Sequence, residues 1–331
     1  MATQVKNEFI LEVEHLKKYF DVPVGTVHAV DDVSMKIRCG KTMGIVGESG
    51  CGKSTLGRNI VHLQNPTAGK IIFEGEDITH PNARRMKRLR SEMQIIFQDP
   101  YSSLNPRLTV EETIKEPLLL TKRVPKDQAD AETLRIMDMV GLAQRFRMSY
   151  PHELDGGRRQ RVGIGRALAL DPKFIVCDEP VSALDVSIQA QILNLLMDLQ
   201  EAQGLTYMFI THNMAVVKHI SDDISVMYLG QLVETSATKE LFEKPLHPYT
   251  QALLSAIPTV SLEHQQERIM MRGELTSPID PKPGCRFASR CPFTCERCSE
   301  PQKLEELLPH HFVACCRAKE LAQRQGTVAQ D

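Results

Sequence analysis

A glycine-rich segment near residue 50 has the residue types and the spacing that bind phosphate. It fits the pattern G-x-x-x-x-G-K-[ST] and lies between a predicted strand and a predicted helix. Its backbone N–H groups can turn inward around phosphate oxygens, and the helix N-terminus adds a positive dipole end. Lys53 can reach the β- and γ-phosphates, and the Ser54 hydroxyl can ligate Mg²⁺. The segment comprises Gly47, Glu48, Ser49, Gly50, Cys51, Gly52, Lys53, Ser54 and Thr55. We therefore predict a site for a nucleoside triphosphate.

Two adjacent acids are candidates for the same chemistry. Asp178 and Glu179 follow the apolar run 174–177, which predicts a buried strand. At the end of such a strand Asp178 can hold Mg²⁺, and Glu179 can orient or deprotonate an attacking water. An acid pair of this kind also occurs in ordinary solvated turns, but the phosphate-binding pattern in the same chain favours the catalytic interpretation.

Alternating apolar and helical segments indicate the fold that must position these residues. The runs 42–46, 93–97, 174–177 and 207–210 are apolar without alternation, as is typical of parallel strands covered on both faces. Helical periodicity follows most of them, so we predict an α/β domain.

Other parts of the chain depart from this alternation. The early runs 10–13, 27–30 and 71–73 have no long helix between them and predict a small antiparallel sheet. Residues 107–150 are helical in pattern and predict an inserted helical subdomain. Beyond residue 256 prolines become frequent, and six of the nine cysteines lie beyond residue 284, so we expect a small loop-rich extension there.

Composition excludes several classes of protein. The chain has 331 residues, of which 42% are apolar and 25% charged, the balance of a globular protein with a sizeable core. The 40 Lys and Arg residues against 42 Asp and Glu residues argue against a nucleic-acid binder or a polybasic membrane anchor. No run predicts a membrane-spanning helix, and the first residues lack a signal core, so we expect a cytoplasmic protein without disulfides.

Four further segments give the chain a specific resemblance to the ATP-binding subunits of ABC transporters. Gln98 resembles the glutamine-loop residue, which contacts Mg²⁺ and the lytic water in that family. Residues 154–158 lie where the family signature lies, ahead of a helix predicted from about 159 to 170. Residues 182–185, ending in Asp185, resemble the dimer-contacting loop, and His212 resembles the switch histidine that contacts the γ-phosphate. The aromatic that stacks on adenine corresponds to Tyr19 or Phe20.

The resemblance covers roughly residues 8–255 and implies a P-loop NTPase fold of the ABC type. This fold has a mixed sheet core, an antiparallel β subdomain and a helical subdomain, here at about 100–160. We therefore expect an ABC ATPase domain at 1–255 and a Cys-rich C-terminal extension at 256–331. The family binds two ATP molecules between two subunits arranged head to tail, so ATP closes the dimer and hydrolysis opens it. Mg²⁺ is then expected on Ser54, Gln98 and Asp178.

The signature segment departs from the common L-S-G-G-Q. It reads Leu154, Asp155, Gly156, Gly157 and Arg158. A carboxylate at the serine position would repel a γ-phosphate, although Arg158 could pair with Asp155 and reduce the repulsion. One interpretation is a harmless family variant. The other is that this signature serves a weakened ATP site, while the site built on the chain's own Lys53 and Glu179 stays competent.

Two further features resemble the oligopeptide/dipeptide group of ABC importers: the His-Pro-Tyr segment at 247–249 and the cysteine-bearing tail. The similarity is strongest to the F-type ATPase subunit of that group. The resemblance implies a heterodimer with a second homologous ATPase subunit, two membrane permease subunits and an extracytoplasmic solute-binding protein. It implies no nucleic acid, and a location on the cytoplasmic face of the cell (inner) membrane. Peptides are the expected solute, with nickel complexes or other small solutes as alternatives. A soluble ABC protein of translation or repair and a small-molecule kinase are further alternatives.

Four tail cysteines match the cysteine pattern of that group. They are Cys285, Cys291, Cys298 and Cys315. Four thiolates can hold a [4Fe–4S] cluster or a tetrahedral zinc ion, and the resemblance favours iron and sulfur. Free thiols in a loop are the third possibility. Cys295 and Cys316 are additional to the pattern and could compete as ligands.

Overall fold

The chain divides into two compact units. The computed structural model describes residues 8–257, 269–271, 273 and 277–324. The first unit contains the residues up to Ile10, Arg38–Lys41 and His80–Ile210, and the second contains Leu11–Ile37, Thr42–Thr79 and Thr211–Asp331. Within the described ranges, no helix combines the length and the apolar character needed to cross a membrane.

Strands and helices alternate through most of the described chain. The strands are β1 (Phe9–Val22), β2 (Gly25–Arg38), β3 (Thr42–Val46), β4 (Ala68–Phe73), β5 (Glu76–Asp77), β6 (Met93–Ile96), β7 (Phe174–Asp178), β8 (Thr206–Thr211), β9 (Asp223–Tyr228), β10 (Gln231–Ala237), β11 (Glu305–Leu308) and β12 (His311–Val313). The helices are α1 (Lys53–Ile60), α2 (Ala83–Glu92), α3 (Pro100–Ser103), α4 (Val110–Thr121), α5 (Ala129–Met139), α6 (Gly156–Leu168), α7 (Val186–Gln203), α8 (Met214–Ile220), α9 (Thr238–Glu243), α10 (Pro248–Ser255) and α11 (Ala318–Arg324). The α/β class predicted from the sequence is confirmed.

The first unit contains a parallel sheet in the order β8-β7-β6. Every residue of β7 and β8 is buried, which explains why both sequences are apolar without alternation. The predicted helical stretch 107–150 contains α4, α5 and a 3₁₀ turn at Gln144–Phe146. A loop separates the two α-helices because Lys122 ends α4 in a left-handed conformation, with φ 55°.

Helix α4 starts with a capping box and carries a buried glutamate that belongs to an ion cluster. The Thr109 hydroxyl accepts from the Glu112 N–H at 3.2 Å, and the Glu112 carboxylate accepts from the Thr109 N–H at 2.8 Å. On the same helix the Glu111 carboxylate pairs with Lys115 and Arg147, and its side chain is only 7% exposed. These charged hydrogen bonds anchor the 3₁₀ segment to α4.

The second unit contains two sheets. The order β2-β1-β4-β5 forms the predicted antiparallel sheet, with Leu11 opposite Phe73. The strands β11-β12-β10-β9-β3 form a mixed arrangement, in which β3 and β9 are parallel and the other pairs antiparallel. The sheet positions the ends of β3 and β9 side by side, and the phosphate-binding pattern follows β3.

The C-terminal extension is built into this second unit. Strand β12 pairs with β10, and Ile279 forms a bridge with Val27 on β2. Phe287 is 1% exposed and packs against Tyr228 and Tyr249, with ring centroids 5.3 Å apart in both pairs. Part of the predicted extension 256–331 lies outside the described residues. The described part has two strands that short sequence runs did not predict, because β12 depends on pairing with β10 and β11 on pairing with β12.

A buried carboxylate joins three segments of the second unit. Glu234 on β10 is 0% exposed and accepts from the N–H groups of Leu246 and His247 at 2.7 and 2.9 Å. Its Oε1 also lies 2.7 Å from Nε2 of His311, which is 1% exposed. The three bonds satisfy a group whose burial alone would be costly, and they fix β12 and the start of α10 to β10.

We expect Glu111→Gln to lower the free energy of unfolding at pH 7 by about 2 kcal/mol. The hydrogen bond from Arg147 is the main cause that holds the Glu111 pKa at about 2, against 4.5 for an ordinary glutamate. The unfolded chain therefore takes up the proton first, and this stabilisation is complete above pH 4.5 and is lost as the pH falls towards 2. Urea unfolding at pH 7, 4.5 and 3 measures it.

Glu116→Gln is the matched control, since Glu116 is exposed on the same helix. Its free energy of unfolding should stay within about 0.5 kcal/mol of the unchanged protein. An E111Q variant as stable as the unchanged protein at pH 7 would show that the ion cluster contributes nothing.

Candidate nucleotide-binding site

The phosphate-binding pattern forms a loop between β3 and α1 in the second unit. The Lys53 side chain is 4% exposed, and its Nζ donates to the carbonyl oxygens of Gly47 and Glu48 at 2.8 and 2.9 Å. These two bonds hold the ammonium group within the curve of the loop. Ser54 and Thr55 follow in the first turn of α1, whose cap residue Gly52 has φ 104°. The predicted strand, loop and helix are all present.

Two glycines of the loop lie against neighbouring backbone. A Cβ atom on Gly52 would stand 1.9 Å from the Ala29 carbonyl oxygen, and one on Gly47 would stand 2.1 Å from the Met227 carbonyl oxygen. Neither carbonyl can withdraw, because Ala29 and Met227 belong to β2 and β9. Only glycine fits at these positions, so the pattern reflects close packing as well as phosphate chemistry.

Glu48, the second residue of the loop, is held from two sides. Its N–H donates to the Tyr249 hydroxyl at 2.9 Å, and its carboxylate accepts two hydrogen bonds from Arg290 at 2.6 and 3.0 Å. Tyr249 belongs to the His-Pro-Tyr segment and Arg290 to the cysteine-rich extension. Sequence reasoning missed Arg290, because nothing in the sequence distinguishes it from other charged residues of the extension.

The two candidate aromatics have different surroundings. The Tyr19 ring stacks on His28 with centroids 4.1 Å apart, and its hydroxyl donates to the Asp31 carboxylate. Burial and the Asp31 hydrogen bond raise the Tyr19 pKa well above its ordinary value, so the phenol stays protonated. Phe20 carries Lys18 Nζ over its ring at 4.9 Å. Tyr19 is therefore the aromatic whose orientation is fixed.

His212 lies directly after β8, between this strand and α8 in the chain. Its side chain is exposed, and the next residue, Asn213, caps α8 by accepting from the N–H groups of Ala215 and Val216 at 2.9 and 3.4 Å. The cap fixes the backbone on one side of His212 and the strand fixes it on the other. The backbone of the exposed His212 is thus held at the end of β8.

The first unit brings three predicted residues together at the end of β7. Asp178 is 1% exposed, and Glu179 is 9% exposed with a left-handed backbone, φ 47°. The Gln98 side-chain amide donates to Glu179 Oε2 at 3.0 Å. The unusual φ of Glu179 is a local strain that the neighbouring structure must hold, and the Glu179 N–H bond to the Ile210 carbonyl at 2.9 Å contributes to this. Such strain is common where a side chain performs chemistry.

The signature segment forms the start of α6 in the same unit. Asp155 caps the helix by accepting from the Arg158 N–H at 2.7 Å, and its carboxylate also pairs with the Arg158 guanidinium. The pair considered from sequence is thus present. The helix begins at Gly156 rather than near residue 159, because the Asp155 cap adds a turn ahead of the apolar residues. Leu154 is buried at 3% exposure.

The signature glycines contact the loop that ends in Asp185. A Cβ atom on Gly156 would lie 2.9 Å from Leu184 Cδ2, and one on Gly157 would lie 2.7 Å from Ile188 Cγ2. Asp185 caps α7 by accepting from the Ile188 N–H at 3.0 Å, and this hydrogen bond is the main cause that lowers its pKa. The two segments predicted to face a second subunit therefore pack on each other.

Four cysteines of the extension surround one small cavity, and they are the four of the predicted ligand set. The cavity is lined by His247, Pro248, Cys285, Phe287, Cys291, Phe293, Cys298, Cys315, Arg317 and Leu321. All nine cysteines of the chain are free thiols. Burial raises the pKa of Cys285 to about 11 and that of Cys315 to about 12. A donor set of four thiols around one space suits a metal centre with four thiolate ligands.

A second thiol arrangement shares Cys298 with the first. The Sγ atoms of Cys295, Cys298 and Cys316 form a triangle with sides of 3.8, 3.9 and 3.8 Å. Such sides match a single tetrahedral ion, whose sulfur ligands at about 2.3 Å are about 3.8 Å apart. Burial acts to raise the Cys298 pKa, but hydrogen bonds from Cys295 and Cys316 lower it overall. The two cysteines additional to the predicted pattern therefore lie close enough to Cys298 to bind one ion together with it.

We expect Gly157→Ala to lower both ATP hydrolysis by the assembled protein and thermal stability. The added methyl would overlap the Ile188 side chain at 2.7 Å and push the α7 cap containing Asp185 away from the signature. The loss of stability should be about 1–3 kcal/mol, as for other overpacked sites. Thermal unfolding and steady-state ATP hydrolysis measure the two effects.

Gly163→Ala provides the control on the same helix. Nothing lies within 4 Å of a Cβ atom at Gly163, so alanine there should be neutral or stabilise the helix by up to about 1 kcal/mol. Truncation of the obstructing side chain in G157A/I188A should recover part of the lost hydrolysis. Equal behaviour of G157A and G163A would contradict the close-packing argument.

Comparison with known proteins identifies the family of this chain. Residues 30–182 match the ABC transporter family, and residues 233–298 match the oligopeptide/dipeptide transporter C-terminal region. The oligopeptide transport ATP-binding protein AppF of Bacillus subtilis (strain 168) is 48% identical over 95% of this chain and 98% of its own length. The dipeptide transport ATP-binding protein DppF of Escherichia coli (strain K12) is 45% identical over 92% of this chain and 93% of its own.

A solved structure supports the same assignment. The dimeric post-hydrolysis state of the ATP-binding cassette MJ0796, bound to ADP and Pi, matches with a TM-score of 0.64 and 28% identity. The match covers 69% of this chain and 98% of that one. The chain therefore belongs to the ABC transporter family of ATPases, in the group that carries the oligopeptide/dipeptide transporter C-terminal region.

Proposed function

We propose that this chain is the ATP-hydrolysing subunit of a membrane importer of dipeptides and oligopeptides. The proposal rests on one observation: the ATPase family and the peptide-transporter C-terminal region match consecutive parts of a single chain. Relatives similar over nearly their whole length are named for oligopeptide or dipeptide transport. ATP binding closes a dimer of ATPase subunits, and this closure drives solute uptake through the membrane subunits.

The phosphate-binding loop holds the triphosphate in this proposal. Lys53 exchanges its carbonyl partners in the loop for β- and γ-phosphate oxygens, and the N–H groups at the start of α1 bind the remaining oxygens. The Ser54 hydroxyl, the Gln98 side chain and the Asp178 carboxylate are hard oxygen donors of the kind that Mg²⁺ prefers. Bound Mg²⁺ would neutralise charge on the β- and γ-phosphates.

Hydrolysis depends on a short set of side chains in the proposal. Glu179 deprotonates or orients the attacking water, and the Gln98 amide holds its Oε2 at 3.0 Å. His212 contacts the γ-phosphate from its exposed position after β8. Tyr19 stacks on adenine, because its ring orientation is held by His28 and Asp31.

The signature segment serves the ATP bound to the opposite subunit. The N-terminus of α6 supplies N–H groups and a positive dipole end for the γ-phosphate, and Asp185 contacts the facing subunit. The Asp155 carboxylate already occupies one of these N–H groups and brings a negative charge, which its pairing with the Arg158 guanidinium partly offsets. This arrangement supports the interpretation that the site completed by this signature is weaker than the site built on Lys53 and Glu179.

The proposed assembly has several different partners. A second homologous ATPase subunit forms the heterodimer, two integral permease subunits form the membrane pathway, and an extracytoplasmic solute-binding protein delivers the peptide. The chain lies on the cytoplasmic face of the inner membrane as a peripheral subunit. Its near balance of 40 basic and 42 acidic residues suits docking onto protein and not onto nucleic acid.

The cysteine cavity is proposed to hold a [4Fe–4S] cluster, with zinc as the alternative. Cys285, Cys291, Cys298 and Cys315 line one cavity, so four thiolates can converge there. A bound cluster would cross-link four points of a segment that has little secondary structure of its own. Zinc would instead suit the tighter triangle that contains Cys295 and Cys316.

We expect Glu179→Gln in the complete transporter to abolish peptide uptake and to lower ATP hydrolysis at least 100-fold, while ATP binding is retained. The amide keeps the shape of the carboxylate but cannot take a proton. Uptake is measured in proteoliposomes that contain both ATPase subunits and both permeases, with a binding protein and labelled dipeptides or tripeptides added.

Asp155→Ser, tested in the same system, should raise ATP hydrolysis by removing a negative charge.

Glu201→Gln, an exposed change on α7, is the control and should leave uptake unaltered. Uptake of nickel complexes but not of peptides would refute the proposed substrate. Cosedimentation with ribosomes or DNA and no association with permeases would refute the transport role. If Asp155→Ser leaves hydrolysis unchanged, and Glu179→Gln is no worse than the equivalent change in the partner subunit, the two sites are equal.

We expect Cys285→Ser to lose bound iron and sulfide on anaerobic purification, and Cys316→Ser to retain both. Cys285 lines the four-thiol cavity and is absent from the triangle, whereas Cys316 belongs only to the triangle. Iron, acid-labile sulfide and zinc analyses of the full chain measure this. If zinc were lost in Cys316→Ser and kept in Cys285→Ser, this result would instead indicate a single zinc ion bound in the triangle. A folded extension with neither metal would refute both.

A further inference from the structure

Two arginines of the cysteine-rich extension contact residues of the nucleotide-binding unit. Arg286 directly follows Cys285, and Arg290 directly precedes Cys291. Their side chains are only 6% and 9% exposed, so both guanidinium groups are taken out of water for these contacts. Burial of an arginine is costly unless its charge is paired. The terminal nitrogens of both arginines find acceptors in the nucleotide-binding unit, among them the Asp31 and Glu48 carboxylates.

Arg290 binds the phosphate-binding loop through the Glu48 carboxylate. Its two terminal nitrogens lie 2.6 and 3.0 Å from the two carboxylate oxygens, the fork-shaped pairing that fixes both charge and orientation. The Glu48 N–H is bound to Tyr249 at the same time. The loop is thus fixed at its second residue by the side chain and by the backbone.

The negative charge of Glu48 means that its pairing with Arg290 affects the binding of phosphate. A carboxylate in a phosphate-binding loop repels the triphosphate that the loop must accept. Arg290 neutralises that carboxylate and holds it on the side of the extension. A loop without Arg290 would keep the same glycines and the same Lys53 but would carry an uncompensated negative charge.

Arg286 acts on a different part of the site. It donates to the Leu229 carbonyl and to the Asp31 carboxylate. Asp31 accepts in turn from the Tyr19 hydroxyl and lies 3.4 Å from the His28 ring, on which Tyr19 stacks. Arg286 therefore holds the Asp31 carboxylate in place, and Asp31 in turn holds the Tyr19 ring that is proposed to stack on adenine.

We propose that Arg290 and Arg286 are positioning residues for ATP. Arg290 sets the phosphate-binding loop through Glu48, and Arg286 sets the adenine-stacking ring through Asp31. The C-terminal extension thereby belongs to the nucleotide site. This inference rests on the proposed ATP site and adds residues to it that lie far away in sequence, 242 and 255 positions from their partners.

The test measures binding of two ligands to the purified full-length chain by calorimetry. Mg²⁺-ATP probes the whole site, and Mg²⁺-tripolyphosphate probes the phosphate loop alone. Arg290→Gln should weaken both at least tenfold. Arg286→Gln should weaken the binding of ATP about fivefold and leave the binding of tripolyphosphate unchanged, because only the adenine base depends on the Tyr19 ring.

Arg297→Gln is the matched control. Arg297 also lies next to a cavity cysteine, Cys298, but its side chain is exposed. Both affinities of this variant should stay within twofold of the unchanged chain. The double variant Glu48→Gln/Arg290→Gln removes the repelling charge together with its partner, and should recover most of the affinity lost in R290Q.

Binding by R290Q equal to that of the unchanged chain overturns the role of Arg290, and so does a double variant as weak as R290Q. An equal loss of ATP and tripolyphosphate affinity in R286Q overturns the role of Arg286. If R290Q does not fold, Arg290→Lys keeps the charge without the fork, and a loss of threefold or more for both ligands is then required. Absence of ATP binding by the unchanged chain would instead refute the proposed ATP site.

Discussion

The nucleotide-binding unit depends on the contact of the phosphate loop with the backbone on either side of it. Gly47 lies against the Met227 carbonyl and Gly52 against the Ala29 carbonyl, at distances that leave no space for a Cβ atom. Strands β2 and β9 must therefore be in place before the loop can take its shape. Because β9 pairs with β10 and β10 with β12, the loop depends in turn on residues at the end of the chain.

The sequence predicted the parts of this arrangement that are local. The phosphate-binding pattern, the acid pair after β7 and the helix after the signature are each encoded in fewer than about 15 consecutive residues, where spacing and periodicity carry the information. The parallel strands were predicted because their burial makes them continuously apolar. Gln98 was identified from the family resemblance and not from spacing, and its hydrogen bond to Glu179 was not predicted.

Other parts could not be predicted, because they arise from contacts between distant segments. Strands β11 and β12 are too short to be recognised alone; β12 forms by pairing with β10, and β11 by pairing with β12. Arg286 and Arg290 read as ordinary charged residues in a loop, and only the fold places Asp31 and Glu48 beside them. Cys298 belongs both to the four-cysteine cavity and to the triangle with Cys295 and Cys316. This could not be predicted either, since sequence spacing gives no distances between sulfur atoms.

The bonds made by Glu234 have a consequence for the order in which the protein is made. This buried carboxylate joins β10 to the start of α10 and to His311, and the unit it belongs to also begins with residues near Leu11. A ribosome delivers the first of these segments many seconds before the last, at about 5–20 residues per second. The early strands are therefore made well before β12 and α10, which belong to the same unit. The second unit can take its final form only after these later segments have been made.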